Sequence, residues 1–159
     1  MYKQLKKDQG FTIIEVMIVL AIAGLILLIV FLAVPALQRN ARNTSLKNDA
    51  SAVGAAVTEF GSNNSGSLPN VAGTTQATTT VTVSSTAVAG AVPATAKVQG
   101  NDIVTPKAAV AIPVNLPVGS IWVDYGQACP GTTASARTTA VLYAIETTAA
   151  TASVGCISA

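Results

Sequence analysis

The chain of 159 residues contains no histidine. That removes the side chain most often used as a general base near neutral pH, and the commonest metal ligand. Charged residues are also scarce, at 10% against roughly 25% in ordinary soluble domains. The acidic ones (Asp8, Glu15, Asp49, Glu59, Asp102, Asp124 and Glu146) are scattered, so the sequence offers no close acid pair. It has no G-x-x-x-x-G-K-[ST] phosphate loop and no metal-ligand cluster. The expectation is a protein with no catalytic residue, no cofactor and no metal, whose work draws its energy from another protein. The net charge of +2 comes from Lys3, Lys6 and Lys7 against Asp8, and the rest is balanced. Nothing there makes an electrostatic case for nucleic acid. Arg39, Arg42 and Lys47 read as a solvated or inter-subunit face in preference to phosphate contacts.

Cysteine is nearly absent too: Cys129 and Cys156 are the two present. A pair in the last third of an exported-looking, β-rich chain favours a disulfide, with two free buried thiols as the alternative. A bond here closes a loop that adds roughly 3–4 kcal/mol on the chain-entropy picture.

What the sequence does have is a long apolar run. Val16 to Val34 carries no charge, and as a helix it spans about 28 Å, close to the roughly 30 Å hydrocarbon core of a bilayer. Glu15 stands at its head, where a buried charge is costly. Gly24 and Pro35 are the positions at which this helix is expected to weaken, one for its missing side chain and the other for its missing amide donor. The alternatives are a packing contact at Gly24 and a simple kink at Pro35. Beyond Pro35 the helical pattern changes character. Leu46, Ala50, Val53, Val57 and Phe60 form one stripe of an amphipathic helix, which needs a partner surface. Turn residues from Gly61 to Asn70 stop it. Continuous from Phe11 to Phe60, such a rod is about 75 Å long. A domain of this size cannot bury it, so its first half must lie in lipid or against other subunits.

From residue 71 onward the composition turns to Thr, Val, Ala and Gly. The stretch 78–84 alternates weakly, as a strand or a surface loop. Residues 108–114, with Pro113, read as an edge or irregular strand. Residues 119–125 form a better strand, with Trp122 and Asp124 on one face and Ile121, Val123 and Tyr125 on the other. Strands at 138–147 and 151–157 flank a hairpin loop, Thr148 to Ala150. The fold class expected is α+β: a long N-terminal helix packed on a small antiparallel sheet of three or four strands.

The combination of a short basic leader, Gly10, Phe11, Thr12, Glu15 and then the apolar run resembles the type IV pilins. That class III signal-peptide family also includes the pseudopilins of secretion and DNA-uptake machines. The proline comes slightly later here than in many pilins. The resemblance implies a leader at 1–10, an assembly helix at 11–35, its amphipathic half at 36–60 and a β-domain at 61–159. It implies cleavage between Gly10 and Phe11 by a membrane prepilin peptidase, and methylation of the new Phe11 amine. It also implies a subunit held in the cytoplasmic membrane with its leader in the cytoplasm. Inner-membrane assembly machinery then builds it into an extracellular helical homo-oligomer that serves adhesion or twitching motility. Glu15 would mark register in that assembly by pairing with a neighbour's Phe11 amine. The alternatives are a pseudopilin or minor pilin and, from a different class, a monomeric membrane-anchored binding module.

Overall fold

The computed structural model describes residues 10–99, 102–108, 111–113, 115–133, 137–148 and 151–159. Leader residues 1–9, hairpin positions 149 and 150, and positions 109, 110 and 114 of the expected strand at 108–114 lie outside that set. The chain divides into two compact units, residues 1–38 and 39–159.

Helix α1 (Ile13–Asn63) is the only helix among the described residues. It runs without interruption through Gly24 and Pro35, so neither ends it in the isolated chain. Proline removes one i→i−4 hydrogen bond while the adjoining turns keep theirs. Gly24 costs about 1 kcal/mol against alanine, which a helix of 51 residues absorbs. In the first unit the large apolar side chains from Ile13 to Val34 are all exposed, from 82% at Ile13 to 40% at Val34.

In the second unit the same helix buries a face. Leu46, Ala50, Val53, Val57 and Phe60, the stripe expected from spacing, are at most 5% exposed, and Gly54 and Ala56 join them. Beside Gly54 lie the side chains of Val141 and Ala159. The helix ends where the sequence supplies residues that tolerate left-handed backbone. Ser65 and Gly66 have φ of 57° and 78°, and the Gly66 N–H reaches back to the Gly61 carbonyl at 2.7 Å. This is the six-to-one closure that satisfies an orphan carbonyl at a helix C-terminus. Asn64 secures the exit. Its Nδ2 donates to the carbonyls of Phe60 and Val92, while its Oδ1 accepts from the Val92 N–H.

Two sheets follow. Strands β1 (Thr75–Ala77), β2 (Thr80–Val83) and β3 (Ala94–Lys97) form an antiparallel sheet in that order. Val81 pairs with Ala96 and Val83 with Ala94, and all four are buried. This is the period-two pattern of a sheet with one face in the core. Strands β4 (Ile103–Ala108), β5 (Ser120–Tyr125), β6 (Thr139–Thr148) and β7 (Thr151–Ser158) form the second sheet, again in chain order. The β5–β6 and β6–β7 pairs are antiparallel, whereas β4 runs parallel to β5. On β5, Ile121 and Val123 are fully buried on one face and Asp124 is 2% exposed on the other, so this strand is covered on both sides.

The architecture is the α+β, pilin-like one expected, with four differences in the strands, the first being that β4 pairs in parallel where antiparallel pairing was expected. The sheet is two sheets. Only residues 80–83 of the stretch 78–84 form a strand. The edge strand expected at 108–114 lies instead at 103–108. Its proline is Pro106, and β4 is at the end of its sheet's order, the position where a strand can lack a donor. Gln76 stitches the two sheets together. Its amide donates to the Asp102 carbonyl at 2.6 Å and accepts from the Val104 N–H at 2.7 Å, imitating a strand backbone between β1 and β4.

Candidate functional site

The residues expected to matter fall into both units. In the first, Gly10 and Phe11 precede the helix in non-helical, exposed backbone, with Phe11 87% exposed. The Gly10–Phe11 peptide is thus free of helical hydrogen bonding. Thr12 is the residue before the helix, and it and Glu15 close on each other. Glu15 Oε2 accepts from the Thr12 N–H at 3.0 Å and from Thr12 Oγ1–H at 2.7 Å. The Glu15 N–H in turn donates to Thr12 Oγ1 at 3.4 Å. This is a capping box, in which two side chains satisfy two orphan helix-terminal donors reciprocally. Glu15 therefore sits beside an apolar wall of Phe11, Val16, Ile18 and Val19 with local donors already on it. In the sequence Thr12 stands out only as part of the processing motif. The signal that identifies its partner was present as T-I-I-E, a threonine followed three residues later by a glutamate. At Gly24 a Cβ would meet nothing within 4 Å, so no contact inside this chain requires glycine there.

In the second unit Cys129 and Cys156 are bonded, with Cα atoms 5.7 Å apart across 27 residues of sequence. The bond ties the segment after β5 to β7. One residue earlier in β7 is Gly155, opposite Tyr143 of β6. Any Cβ there would run into the Tyr143 ring, so this position must be glycine for the tyrosine to lie across the strand.

Arg42, expected with Arg39 and Lys47 on a solvated or inter-subunit face, is half exposed but paired within its own chain, and Asn43 beside it is partly buried. Both grip Glu146 near the end of β6. Arg42 Nε donates to Glu146 Oε2 and an η nitrogen to Oε1, each at 3.0 Å. Asn43 pairs with the Glu146 backbone, donating to its carbonyl at 3.0 Å and accepting from its N–H at 2.9 Å. The Asn43 pair imitates a strand neighbour. It lies next to the register shift between Glu146 and Thr148, where the ladder to β7 is irregular. Lys47 remains exposed.

Nearby, Asp49 on α1 accepts the Gln99 N–H at 2.8 Å and faces Asp102, which leads into β4. Burial, then the hydrogen bond with the Asp49 carboxylate and its charge, push the Asp102 carboxyl up to about 7. Its Oδ2 is buried and has no donor among the described residues. A proton shared between the two carboxyls would supply that donor. Burial likewise raises Tyr125 to about 12, partly offset by its 2.6 Å hydrogen bond with Thr74. Among the described residues no group of three or more His, Cys, Asp or Glu side chains is placed to hold a metal.

Residues 5–31 match the family model of the prokaryotic N-terminal methylation motif, the class III signal peptide of type IV pilin-like proteins. No curated protein and no solved structure is detectably similar to the chain. The motif supports a type IV pilin-like protein, and the long apolar helix and the disulfide-closed α+β fold agree with it. The motif implies processing by prepilin peptidase and assembly into pilus-like filaments, and together with the apolar helix it fits a membrane-anchored precursor.

Proposed function

We propose that this chain is a structural, non-enzymatic subunit of a type IV pilus or a pilus-like surface filament, polymerised through its N-terminal helix and serving adhesion or twitching motility. Peptidase would cut between Gly10 and Phe11, and the Phe11 amine would be methylated. The subunit would wait in the cytoplasmic membrane until inner-membrane machinery adds it to a growing helical filament outside the cell. Gly24 and Pro35 are then the places where α1 would loosen on assembly, since each is the weakest point of its own stretch of helix.

One observation carries this reading. The apolar half of α1 finds no cover within its own fold, with side chains such as Leu20, Leu28 and Phe31 at 66%, 65% and 76% exposure. Lipid covers such a helix before assembly and neighbouring helices cover it afterwards. In that bundle Glu15 has a use as the partner of a neighbour's Phe11 amine, since a charge buried among apolar helices is tolerable when paired and sets register.

Two measurements test the reading. Mass spectrometry of the mature protein is expected to show a chain starting at Phe11, and Gly10→Val to abolish that product. A normal mature product from the variant overturns the peptidase assignment. For Glu15→Gln the ratio of sheared surface filament to membrane-held subunit, read by immunoblot, is expected to collapse while the membrane pool stays full. An unchanged ratio with regular filaments under the electron microscope removes Glu15 from assembly.

A further inference from the structure

We propose that β7 is a self-pairing edge: along its open side it takes, as an added strand, the β7 of a second copy of this chain in a neighbouring filament. The inference rests on the filament role proposed above. Strand β7 ends its sheet's order, so one of its sides has no strand neighbour. Thr139 and Ala159 exchange both of their backbone hydrogen bonds, which fixes the alternation down the antiparallel ladder. Ile157, Gly155 and Ser153 turn their N–H and C=O groups to β6, and Ser158, Cys156 and Val154 turn theirs outward. Among the described residues nothing bonds the outward groups of these three, and none of the three is buried.

A row of unpaired backbone groups invites another strand, and folded proteins guard such edges with proline, charge, short length or a covering group. The other sheet edges among the described residues are guarded. On β4, Pro106 has no N–H, Lys107 brings a charge, and the Gln76 side chain takes the Asp102 carbonyl and the Val104 N–H. Strand β1 has three residues and β3 four, the last of them an exposed Lys97. Strand β7 has eight, T-A-S-V-G-C-I-S, with neither charge nor proline. The disulfide at Cys156 holds it in place, so little freedom is lost on pairing. The absence of charge also selects the occupant, because two copies of this strand meet with no like charges opposed in whatever register they pair. Size and symmetry then place that copy. At about 3.4 Å per residue and about 4.8 Å between strands, the edge offers a strip on the order of 130 Å², far below the roughly 800 Å² per partner of a stable interface. One such contact does not hold two free subunits together, whereas many contacts along two filaments do. The same edge on both sides also makes a two-fold contact, while subunits of one helical filament are related head to tail. The second β7 therefore belongs to another filament, and the result is lateral bundling.

The test uses filaments sheared from cells that express the full-length chain. It reads the fraction that sediments as bundles at low speed, checked by electron microscopy. Ser153 and Ser158 are exposed and point to opposite faces of β7. With both changed, Ser153→Lys with Ser158→Lys, the bundled fraction is expected to fall by about tenfold or more, since a small loss per contact multiplies along a filament. Ser153→Glu with Ser158→Glu is expected to do the same, and mixing the two preparations is expected to restore bundles. Val154→Pro removes an outward N–H and no bond to β6, and is expected to disperse the bundles. Val154→Ala keeps that N–H and is expected to stay within about twofold of wild type. An intact Cys129–Cys156 bond and a normal filament yield show that each variant has folded. Wild-type filaments that stay single overturn the inference, as do bundles that persist in the lysine pair or in Val154→Pro. A mixture that stays dispersed shows that the edge serves a partner other than this chain, and overturns it too. A wild type that builds no filament marks failure of the filament reading itself.

Discussion

The two stretches of α1 obey the same geometry and end in opposite environments. Before Gln38 the helix is apolar on every side and exposed on every side. After Arg39 only one stripe is apolar, and that stripe is buried to within 5%. Period alone cannot produce this difference, because both stretches are regular helix. What differs is where the polar residues fall. With none between Val16 and Val34, no face is marked as inner, so the helix is suited to a surround that is apolar in all directions. With Arg42, Asn43, Lys47 and Asp49 interleaved among Leu46, Ala50 and Val53, one face is marked, and a sheet of the same chain covers it. A single helix can thus be made for two solvents.

The sharpest way to break that comparison uses one residue type in both stretches. Phe60 is fully buried and Phe31 is 76% exposed. Phe60→Ala is expected to destabilise the folded unit by about 3–5 kcal/mol, through lost burial and the cavity left behind. Phe31→Ala is expected to leave the thermal melting temperature of the detergent-solubilised protein unchanged. Equal shifts would mean that the two stretches are not divided as described.

Next in size is the disulfide, which belongs wholly to the second unit. Cys156→Ser is expected to lower stability by about 2–5 kcal/mol, measured by urea unfolding with and without reductant. Reductant should destabilise wild type and leave the variant unaffected. Thiol labelling of unreduced exported protein should modify neither cysteine.

The clamp between helix and sheet is worth less. Arg42 is 55% exposed and Glu146 13%, so solvent screens the pair despite its two-pronged geometry. Arg42→Ala is expected to cost about 1 kcal/mol. Asn43→Ala should cost more than an exposed polar substitution normally does, because it strips both backbone partners from the irregular end of β6. A double-mutant cycle across Arg42 and Glu146 reads the pair directly.

The smallest effect at acid pH comes from Asp102, and it grows with pH. Its folded value of about 7 lies above the ordinary aspartate value of 3.8, so the folded state holds the proton over a range where the unfolded state has released it. Stability from this group is fully present below about 4 and declines as pH rises through about 7. Asp102→Asn mimics the protonated form. It is expected to flatten the pH dependence of the melting temperature between those limits, and to raise that temperature at pH 8. A variant as pH-sensitive as wild type would show that Asp49 and Asp102 do not share a proton.

Much of this was legible before the fold was known. The stripe from Leu46 to Phe60 and the strands near 119–125, 138–147 and 151–157 announce themselves by period, because each has one face that must be dry. The strands β1, β3 and β4 do not. β1 (Thr-Gln-Ala) and β3 (Ala-Thr-Ala-Lys) are short and lack large apolar side chains, and β4 contains a proline, so neither propensity nor alternation singles them out. Their pairing is decided by partners distant in sequence, such as Gln76 reaching Val104. Arg42 reads as part of a solvated or inter-subunit face for the same reason: Glu146, the partner it shares with Asn43, is more than a hundred residues away.

The apolar helix, the buried stripe, the carboxylate at the head of the run and the processing motif are all written in short stretches of sequence. Each of these is local: a composition, a spacing of three and four, or a handful of adjacent positions. Tertiary structure decided the parallel placement of β4, the split into two sheets, the grip of α1 on Glu146 and the facing of Asp49 and Asp102. Those depend on which distant groups come within hydrogen-bond reach, and no local pattern of side chains encodes that distance.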